Sequence, residues 1–163
     1  MNITIRAAEF RDRERLIDLY EALNRHEDRV TGDRRTDRAA AAENLDDSMA
    51  RLVPGGGLFL VAEADGEVAG LITVDFKEGP VYVRPERRAH AHIVELVVDP
   101  ARQRQGLGRA LMSAAEAAAA ARGFRRLTIS VMAGNREAEQ AYARQGFRPL
   151  AHDLVKEIGS AEP

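Results

Sequence analysis

The C-terminal half of this chain alternates between short apolar segments typical of strands and longer segments typical of helices. Residues 93–98 and 127–132 have strand character, and residues 106–122 between them contain an alanine-rich block of good helix formers that Gly123 ends. Two strands joined by a helix within one sheet run parallel, with a right-handed crossover. The pattern therefore predicts a strand–helix–strand unit as the central feature of the fold.

Hydrophobic spacing predicts further strands and helices on both sides of this unit. In chain order they are a strand at 3–6, a helix around 16–23, a helix over 39–49 with Thr36 as its cap, strands at 58–64 and 68–76, a helix at 136–145 and a final strand at 150–158. Asp65-Gly66 favours a tight hairpin turn between two of these strands. The order predicts an α/β (α+β) fold in which helices flank a mixed sheet.

Length and composition limit the class of protein. With 163 residues, the chain is predicted to form a single domain over 1–163. No apolar run approaches the roughly 20 residues that cross a bilayer, so no membrane association is expected. The first residues lack a secretory signal, which predicts a cytoplasmic protein. The absence of cysteine excludes cysteine nucleophiles and thiolate metal sites.

Charge and histidine spacing argue against two other kinds of partner. The 24 basic and 26 acidic residues are interleaved and the net charge is −2, so no basic field attracts nucleic acid. Arg84, Arg87 and Arg88 are interpreted as part of a solvated loop. His90 and His92 alternate along a predicted strand edge without a third ligand, which favours loop or acceptor-site residues and predicts no required metal.

A strand leads directly into the helix at residues 98–109, through a segment that contains Gly106 and Gly108. Free amides at a helix start bind anions such as a pyrophosphate, and glycines let the backbone come close. Arg104 and Arg109 can add positive charge. Two glycines by themselves, however, equally mark an ordinary loop that feeds a helix.

The order of residues in this segment narrows the choice. A dinucleotide fingerprint would require Gly or Ala where Leu111 stands, and a P-loop would require Lys and then Ser or Thr after its glycine. The segment instead resembles the fingerprint Gln/Arg-x-x-Gly-x-Gly/Ala of the GCN5-related N-acetyltransferase (GNAT) family, as Gln103-Arg104-Gln105-Gly106-Leu107-Gly108. A second motif is similar to the family's segment after its fifth strand and reads Asn135-x-x-Ala138-x-x-Ala141-Tyr142-x-x-x-Gly146-Phe147, with Ala141 where an aromatic residue or leucine is common.

The resemblance implies a fold and a coenzyme site. The GNAT fold has a mixed central sheet of about six or seven strands flanked by about four helices, and the family takes acetyl groups from acetyl-CoA. By resemblance, the backbone of Leu96, Val97 and Val98 would pair with pantetheine. The pyrophosphate would then contact residues 104–109, which are Arg104, Gln105, Gly106, Leu107, Gly108 and Arg109, and Gln103 would also bind the coenzyme. The resemblance also favours a homodimer.

An amine acceptor requires a base. An alkylamine with a pKa of about 10.4 is protonated at neutral pH and cannot attack a thioester. Removing that proton at pH 7 costs about 4.6 kcal/mol, which predicts a base or a water relay. Glu95, inside the apolar strand segment, is the candidate base. The alternative is a structural carboxylate paired with His92 or a nearby arginine.

Two residues of the second motif have candidate roles. The resemblance implies that Tyr142 lies near the coenzyme sulfur and donates a proton to the departing thiolate, whereas the alternative is an aromatic side chain that fills the core. Asn135 can cap the helix that follows, contact the pantetheine amides, or do both.

The resemblance implies an N-acetyltransferase that moves an acetyl group from acetyl-CoA to a primary amine of a small molecule or peptide, by direct attack in a ternary complex. The alternative is a non-catalytic acyl-CoA-binding regulatory module that keeps the phosphate turn. The residues do not identify the acceptor amine.

Overall fold

Five strands form one mixed sheet in the computed structural model, which describes residues 2–159. The strands are β1 (Ile3–Ala7), β2 (Leu58–Ala64), β3 (Glu67–Glu78), β4 (Ala89–Val98) and β5 (Leu127–Ile129). The helices are α1 (Arg13–Thr31), α2 (Arg38–Leu52), the single-turn α3 (Pro85–Arg88), α4 (Leu107–Ala121) and α5 (Arg136–Arg144). The predicted α/β architecture, with helices flanking a mixed sheet, is confirmed.

The strand order β1-β2-β3-β4-β5 follows the chain, and the last pair is the parallel one. Asp65 and Gly66 form the turn between β2 and β3, with φ angles of 53° and 87°. Both central residues of a type I′ turn need a positive φ, which Asp tolerates and Gly adopts freely. Helix α4 joins β4 to β5, so the predicted strand–helix–strand unit is also confirmed.

Helix α4 covers one face of the sheet. Its buried residues recur at helical intervals and are Leu107, Leu111, Met112, Ala115 and Ala119. They pack in one cluster with strand residues that include Ile72 and Ile93. Gly70 lets the helix come close, because a Cβ at that position would lie 3.0 Å from the Leu111 Cδ1 atom.

Helices α1 and α2 cover the opposite face. Leu19 and Tyr20 of α1 and Leu45 of α2 pack with Leu71 and Val97 of the sheet, and all five side chains are buried. Burying a large apolar side chain stabilises the fold by about 1.5–3 kcal/mol. The two clusters hold β3 and β4 between them, so the backbone of β4 has a fixed position.

The predicted strand at 150–158 is wrong. Residues 147–159 form neither helix nor strand, and the apolar side chains Leu150, Leu154, Val155 and Ile158 are exposed. An alternating pattern forms a strand only where a neighbouring strand supplies backbone partners, and β5, at the end of the sheet, offers an edge of only 3 residues. The described sheet therefore has five strands instead of six or seven.

Some predicted boundaries also differ. Asp37, and not Thr36, caps α2 by accepting a 2.9 Å hydrogen bond from the Ala40 N–H. Strand β5 ends at Ile129, three residues before the predicted end. Over residues 2–159, no helix combines the length and the apolar character needed to span a bilayer.

Candidate active site

Strands β4 and β5 separate soon after they begin to pair. Their parallel pairing ends at Ile93 and Ile129, whereas β4 continues to Val98. Within residues 2–159, residues 94–98 therefore have no neighbouring strand on that side. An unpaired strand edge presents backbone N–H and C=O groups that an extended ligand can use.

A β-bulge in β4 lies at the point of separation. The adjacent residues Thr73 and Val74 of β3 pair with Glu95 and Ile93, so Val94 is the extra residue. A bulge bends its strand and increases the local twist, which turns β4 away from β5. The side chain of Glu95 lies on the face that α1 and α2 cover, where it contacts α2.

The turn between β4 and α4 presents a row of unpaired backbone amides. Gly106 precedes the helix with a φ of 89°, and no side chain caps the helix start. The first helical hydrogen bond runs from the Ala110 N–H to the Gly106 carbonyl at 3.0 Å. Within the described chain, no amide of residues 103–109 donates a hydrogen bond. With the positive end of the helix dipole, these amides form a site for an anion.

Asp99 holds the start of this turn. Its N–H donates to the Ala69 carbonyl at 2.8 Å, while its carboxylate accepts the Ala101 N–H at 2.8 Å and pairs with Arg15 of α1. Burial acts to raise the pKa of Asp99, but the hydrogen bonds from Ala101 and Arg15 outweigh it and keep that pKa below its ordinary value. The turn is therefore anchored before any ligand arrives, which lowers the cost of binding.

Two arginines place positive charge beside the amides. Arg104 and Arg109 are exposed, and neither has an ion-pair partner in the described part of the chain. The neighbouring Arg102 instead lies 3.7 Å from Asp65 and 3.4 Å from Glu67. The two unpaired guanidinium groups can therefore bind a phosphate, which suits their planar set of donors.

Hydroxyl groups hold the Glu95 carboxylate. Ser48 of α2 donates to one carboxylate oxygen at 2.9 Å, and Thr73 of β3 donates to the other. Both hydroxyl-bearing residues are fully buried, whereas Glu95 is partly exposed. Neither His92 nor an arginine is a hydrogen-bond partner of Glu95 among the described residues. The carboxylate is thus oriented by neutral donors and keeps one side toward solvent.

Sequence reasoning missed Ser48 and Thr73. The two residues lie 47 and 22 positions from Glu95, and neither belongs to a motif. Thr73 lies on the same sheet face as Glu95 only because the β3–β4 register pairs them. A local pattern contains no signal for such contacts, although the alternation of β3 could have identified Thr73 as a polar residue on a buried face.

Tyr142 lies on α5 and is half-buried. It packs against the same core cluster as Leu96 and Val98 of β4, and its ring centroid lies 6.0 Å from that of Phe147. Burial, with a smaller effect of the Glu27 carboxylate, raises the pKa of the Tyr142 phenol above its ordinary value. The phenol is therefore a proton donor at neutral pH and not a phenolate.

Asn135 caps α5 and also contacts α1. Its side-chain oxygen accepts the Ala138 N–H at 3.2 Å, and its amide nitrogen lies 3.2 Å from His26 Nε2. A Cβ on Gly134 would lie 3.9 Å from Val30 of α1. The C-terminal half of α1 thus supports the segment that follows β5 and positions the start of α5.

The arrangement combines an anion site, a free strand edge and two groups that can exchange protons. Along the chain, the turn at 103–109 comes shortly after the edge at 94–98. Glu95 lies near the start of that edge, and Tyr142 packs against the core cluster that Leu96 and Val98 also contact. Among residues 2–159, no group of three or more acidic or histidine side chains has the arrangement of a metal site. The described residues place a carboxylate, a phenol and unpaired backbone amides along this edge.

A family profile and curated relatives match this chain. The sequence profile of the Acetyltransferase (GNAT) family matches residues 13–147. A mycothiol acetyltransferase of Clavibacter michiganensis subsp. michiganensis is 36% identical over 99 residues, which is 60% of this chain and 28% of that protein. A mycothiol acetyltransferase of Clavibacter sepedonicus is 35% identical over 114 residues, which is 68% of this chain and 34% of that protein. The chain spans about a third of the length of these relatives.

Solved structures share the fold. A GCN5-related N-acetyltransferase from Ralstonia eutropha JMP134 has a TM-score of 0.74 at 26% identity and covers 98% of this chain and 100% of its own. A "predicted acetyltransferase with acetyl-CoA" from Clostridium acetobutylicum has a TM-score of 0.71 at 13% identity and covers 99% of this chain and 100% of its own. At this identity, the similarity shows the fold alone. The resemblance found in the two motifs is confirmed, and the profile match over most of the chain shows that this protein belongs to the acetyltransferase (GNAT) family.

Proposed function

We propose that this chain is an N-acetyltransferase that transfers the acetyl group of acetyl-CoA to a primary amine of a small molecule or peptide. The observation that carries the proposal is the row of unpaired amides at 103–109, which directly follows an unpaired strand edge at 94–98. This combination fits a ligand with phosphates at one end and an amide-containing arm. Family membership and the acetyltransferase relatives support acetyl transfer.

The pyrophosphate of the coenzyme would occupy the turn before α4. A helix dipole contributes only about 0.3–1 kcal/mol at an exposed site and up to about 2 when partly buried. Most of the affinity must therefore come from several amide hydrogen bonds to the charged oxygens, with Arg104 and Arg109 adding charge-assisted bonds. Gln103 and Gln105 are exposed in the same turn and can reach the ligand as well.

The pantetheine arm would lie along β4 in place of a neighbouring strand. Its amides can pair with the backbone of Leu96, Val97 and Val98, as a peptide does when it adds to a sheet edge. Because the turn follows Val98, an arm that starts at the turn runs back toward Glu95. The thioester would thus reach the bulge, where the acceptor amine can approach from the side of α1 and α2.

Glu95 would take the proton that the acceptor ammonium must lose. The carboxylate is the acidic group at the bulge, and Ser48 and Thr73 hold it in one orientation. Proton transfer to a positioned base contributes about 10²–10⁴-fold to the rate, and the free amine is needed for attack. The amine nitrogen then bonds to the thioester carbon and forms a tetrahedral intermediate.

Tyr142 would donate a proton to the sulfur as the intermediate collapses. The carbon–sulfur bond breaks, the amide product keeps the acetyl group, and the coenzyme leaves as the thiol. Because burial raises its pKa, the phenol holds its proton at neutral pH and gives it to the sulfur as negative charge develops there. The second proton that the nitrogen of the intermediate loses then restores the phenol. Asn135 would orient the loop from which α5 starts and can contact the pantetheine amides.

A screen of primary amines with acetyl-CoA tests the proposed activity. We expect thiol release that depends on the acceptor, detected with a thiol reagent, and an acetylated product one acetyl group heavier by mass spectrometry. The absence of cysteine in the chain leaves no background thiol. Binding of acetyl-CoA without thiol release across the panel would instead identify a non-catalytic acyl-CoA-binding module.

Replacing Gly106 by Ala tests the anion site. Gly106 has a φ of 89° and open space around it, so a Cβ adds backbone strain of about 1–2 kcal/mol without a clash. The backbone relieves this strain by moving away from a φ of 89°, which would turn the amides of residues 103–109 away from the phosphates. We therefore expect Gly106→Ala to weaken CoA binding by about tenfold. Isothermal titration calorimetry measures the change.

Gly123→Ala is the matched control for this experiment. Gly123 lies after the other end of α4, also with a positive φ of 86° and nothing within 4 Å of a Cβ. Both variants should lose similar stability on thermal unfolding, and only Gly106→Ala should lose CoA affinity. Equal affinities in the two variants would contradict an anion site at the turn.

Replacing Glu95 by Gln tests the proposed base. Glutamine keeps the size of the side chain, and its oxygen still accepts one hydroxyl, but it takes no proton. We expect kcat/KM to fall about 100-fold and its pH dependence to change. Glu78→Gln, at an exposed position on β3, should behave as wild type. An unchanged pH–rate profile in Glu95→Gln would remove Glu95 from the mechanism.

Replacing Tyr142 by Phe tests the proton donor. The variant keeps the ring that packs on the core and loses only the hydroxyl. We expect kcat to fall about 10- to 100-fold while acetyl-CoA affinity stays near that of wild type. Tyr82→Phe, at an exposed position, is the matched control. Equal kcat values for Tyr142→Phe and wild type would show that the hydroxyl has no part in the reaction.

A further inference from the structure

One buried hydroxyl lacks a hydrogen-bond partner. The Tyr20 side chain of α1 is fully buried, and its hydroxyl is the sole buried side-chain polar atom without a partner among residues 2–159. Such a group is destabilising, because it has lost its hydrogen bonds to water, whereas phenylalanine would fill the same space without that cost. Packing therefore accounts for the ring and leaves the hydroxyl unexplained.

The core neighbours of Tyr20 belong to the strands that carry the proposed base. Tyr20 packs in one cluster with Leu71 of β3 and Val97 of β4, which the strand register pairs with each other. The next pair on the same face is Thr73 and Glu95, two residues further along β3. Tyr20 thus lies over the sheet face that carries the Glu95 carboxylate, next to the pair that contains it.

Helix α2 brings Ser48 to the same place. Leu45 packs in the same cluster as Tyr20 and lies three residues before Ser48, and residues at this spacing share a face of a helix. Ser48 is fully buried and donates to Glu95 at 2.9 Å. Ser48 and Glu95 are both close enough to the Tyr20 phenol to change its pKa. The unpaired hydroxyl therefore lies beside the cluster that holds the proposed base.

The Tyr20 hydroxyl keeps its proton at neutral pH. Burial, and then the negative charge of Glu95, raise the pKa of the phenol well above its ordinary value, while Ser48 and Arg51 act in the opposite direction. Arg51 of α2 is ion-paired with Asp47 at 2.8 Å. A protonated phenol can donate one hydrogen bond. Tyr20 is thus a donor without an acceptor beside the proposed base.

The Ser48 oxygen can accept this hydrogen bond. Ser48 donates its single proton to Glu95, and its oxygen accepts no hydrogen bond from any described residue. The Thr73 oxygen, in contrast, already accepts the Glu95 N–H at 3.0 Å. A hydroxyl that accepts one hydrogen bond becomes a stronger donor, because linked hydrogen bonds polarise one another. A bond from Tyr20 to Ser48 would therefore strengthen the bond from Ser48 to the carboxylate.

We propose that Tyr20 is a positioning residue for Glu95. Its hydroxyl donates to the Ser48 oxygen when the acceptor amine is bound, and Ser48 then holds the carboxylate in the orientation that takes the proton. Catalytic hydrogen bonds that are long or poorly aligned in a free enzyme tighten when substrate binds and displaces water. Tyr20 keeps its own proton throughout. This inference rests on the proposed function of Glu95.

Tyr20→Phe tests this role on the full-length chain with acetyl-CoA and the best amine of the panel. We expect kcat/KM for the amine to fall about fivefold, because one hydrogen bond that supports the base is lost. The Kd of acetyl-CoA, measured by calorimetry, should stay within about twofold of wild type. The Tm should not fall, because the lost hydroxyl has no partner in the free protein. Tyr82→Phe, at an exposed position, is the matched control and should equal wild type in all three measurements.

A double-mutant cycle tests whether Tyr20 acts through Ser48. In the Ser48→Ala background the middle hydroxyl is missing, so Tyr20→Phe should change kcat/KM by less than about twofold. In the Thr73→Val background, which lacks the other donor to Glu95, Tyr20→Phe should still lower kcat/KM about fivefold. Effects of Tyr20→Phe and Ser48→Ala that simply multiply would overturn the proposal.

A spectroscopic measurement covers the case in which Tyr20→Phe does not fold. The chain has 3 tyrosines and no tryptophan, so Tyr82→Phe combined with Tyr142→Phe leaves Tyr20 as the sole phenol. The near-ultraviolet absorption of a phenol shifts to longer wavelength when it begins to donate a hydrogen bond. We expect this shift when CoA and the amine, which do not react with each other, are added together, and we expect none when Ser48 is also replaced by alanine. A spectrum that stays unchanged on addition of both overturns the proposal.

The outcomes separate the role of Tyr20 from the proposed function. A wild-type chain that acetylates no amine refutes the function itself. An active wild type whose kcat/KM equals that of Tyr20→Phe overturns the role of Tyr20 alone. A Tyr20→Phe variant in which Tm and acetyl-CoA affinity fall together with kcat/KM overturns it as well, since that pattern indicates a structural hydroxyl.

Discussion

The separation of β4 from β5 is the constraint on which the rest of the site depends. If the two strands stayed paired beyond Ile93 and Ile129, the backbone of 94–98 would be satisfied within the sheet and no extended ligand could pair with it. The bulge at Val94 disrupts the β3–β4 ladder locally and bends β4. Because α4 begins shortly after β4 ends, the free edge and the unpaired amides of the turn adjoin. The described edge and the turn next to it therefore both present backbone groups without partners in residues 2–159.

The two faces of the sheet differ in the side chains that they carry. The face under α4 is apolar and close-packed, which holds β4 and the start of α4 in fixed positions. The other face changes from apolar residues near Leu71 and Val97 to polar residues that include Glu95 and His92. Buried hydroxyls such as those of Ser48 and Thr73 need partners, and the Glu95 carboxylate accepts from both. The stability of this region and the orientation of the proposed base are thus coupled.

Prediction from the sequence succeeded where a local pattern was sufficient. The Asp65-Gly66 hairpin, the strand–helix–strand unit and the glycine turn before α4 all follow from backbone preferences of neighbouring residues. It failed where a partner was needed. Residues 150–158 alternate as a strand does, but the described sheet offers them only a short edge, and their apolar side chains stay exposed. Alternation shows that a segment can form a strand and not that a neighbour is present.

By itself, the sequence determined the order of elements up to the last helix, the position of the glycine turn before α4 and the family, because each depends on residues that are close along the chain. Only the tertiary structure decided which side chains meet at the bulge. Ser48, Thr73 and Glu95 come from three elements, and Thr128 orients His92 across a strand pair. Contacts of this kind depend on the strand register and on how α2 packs on the sheet. Both are set by the burial of the whole apolar core, which no short segment encodes.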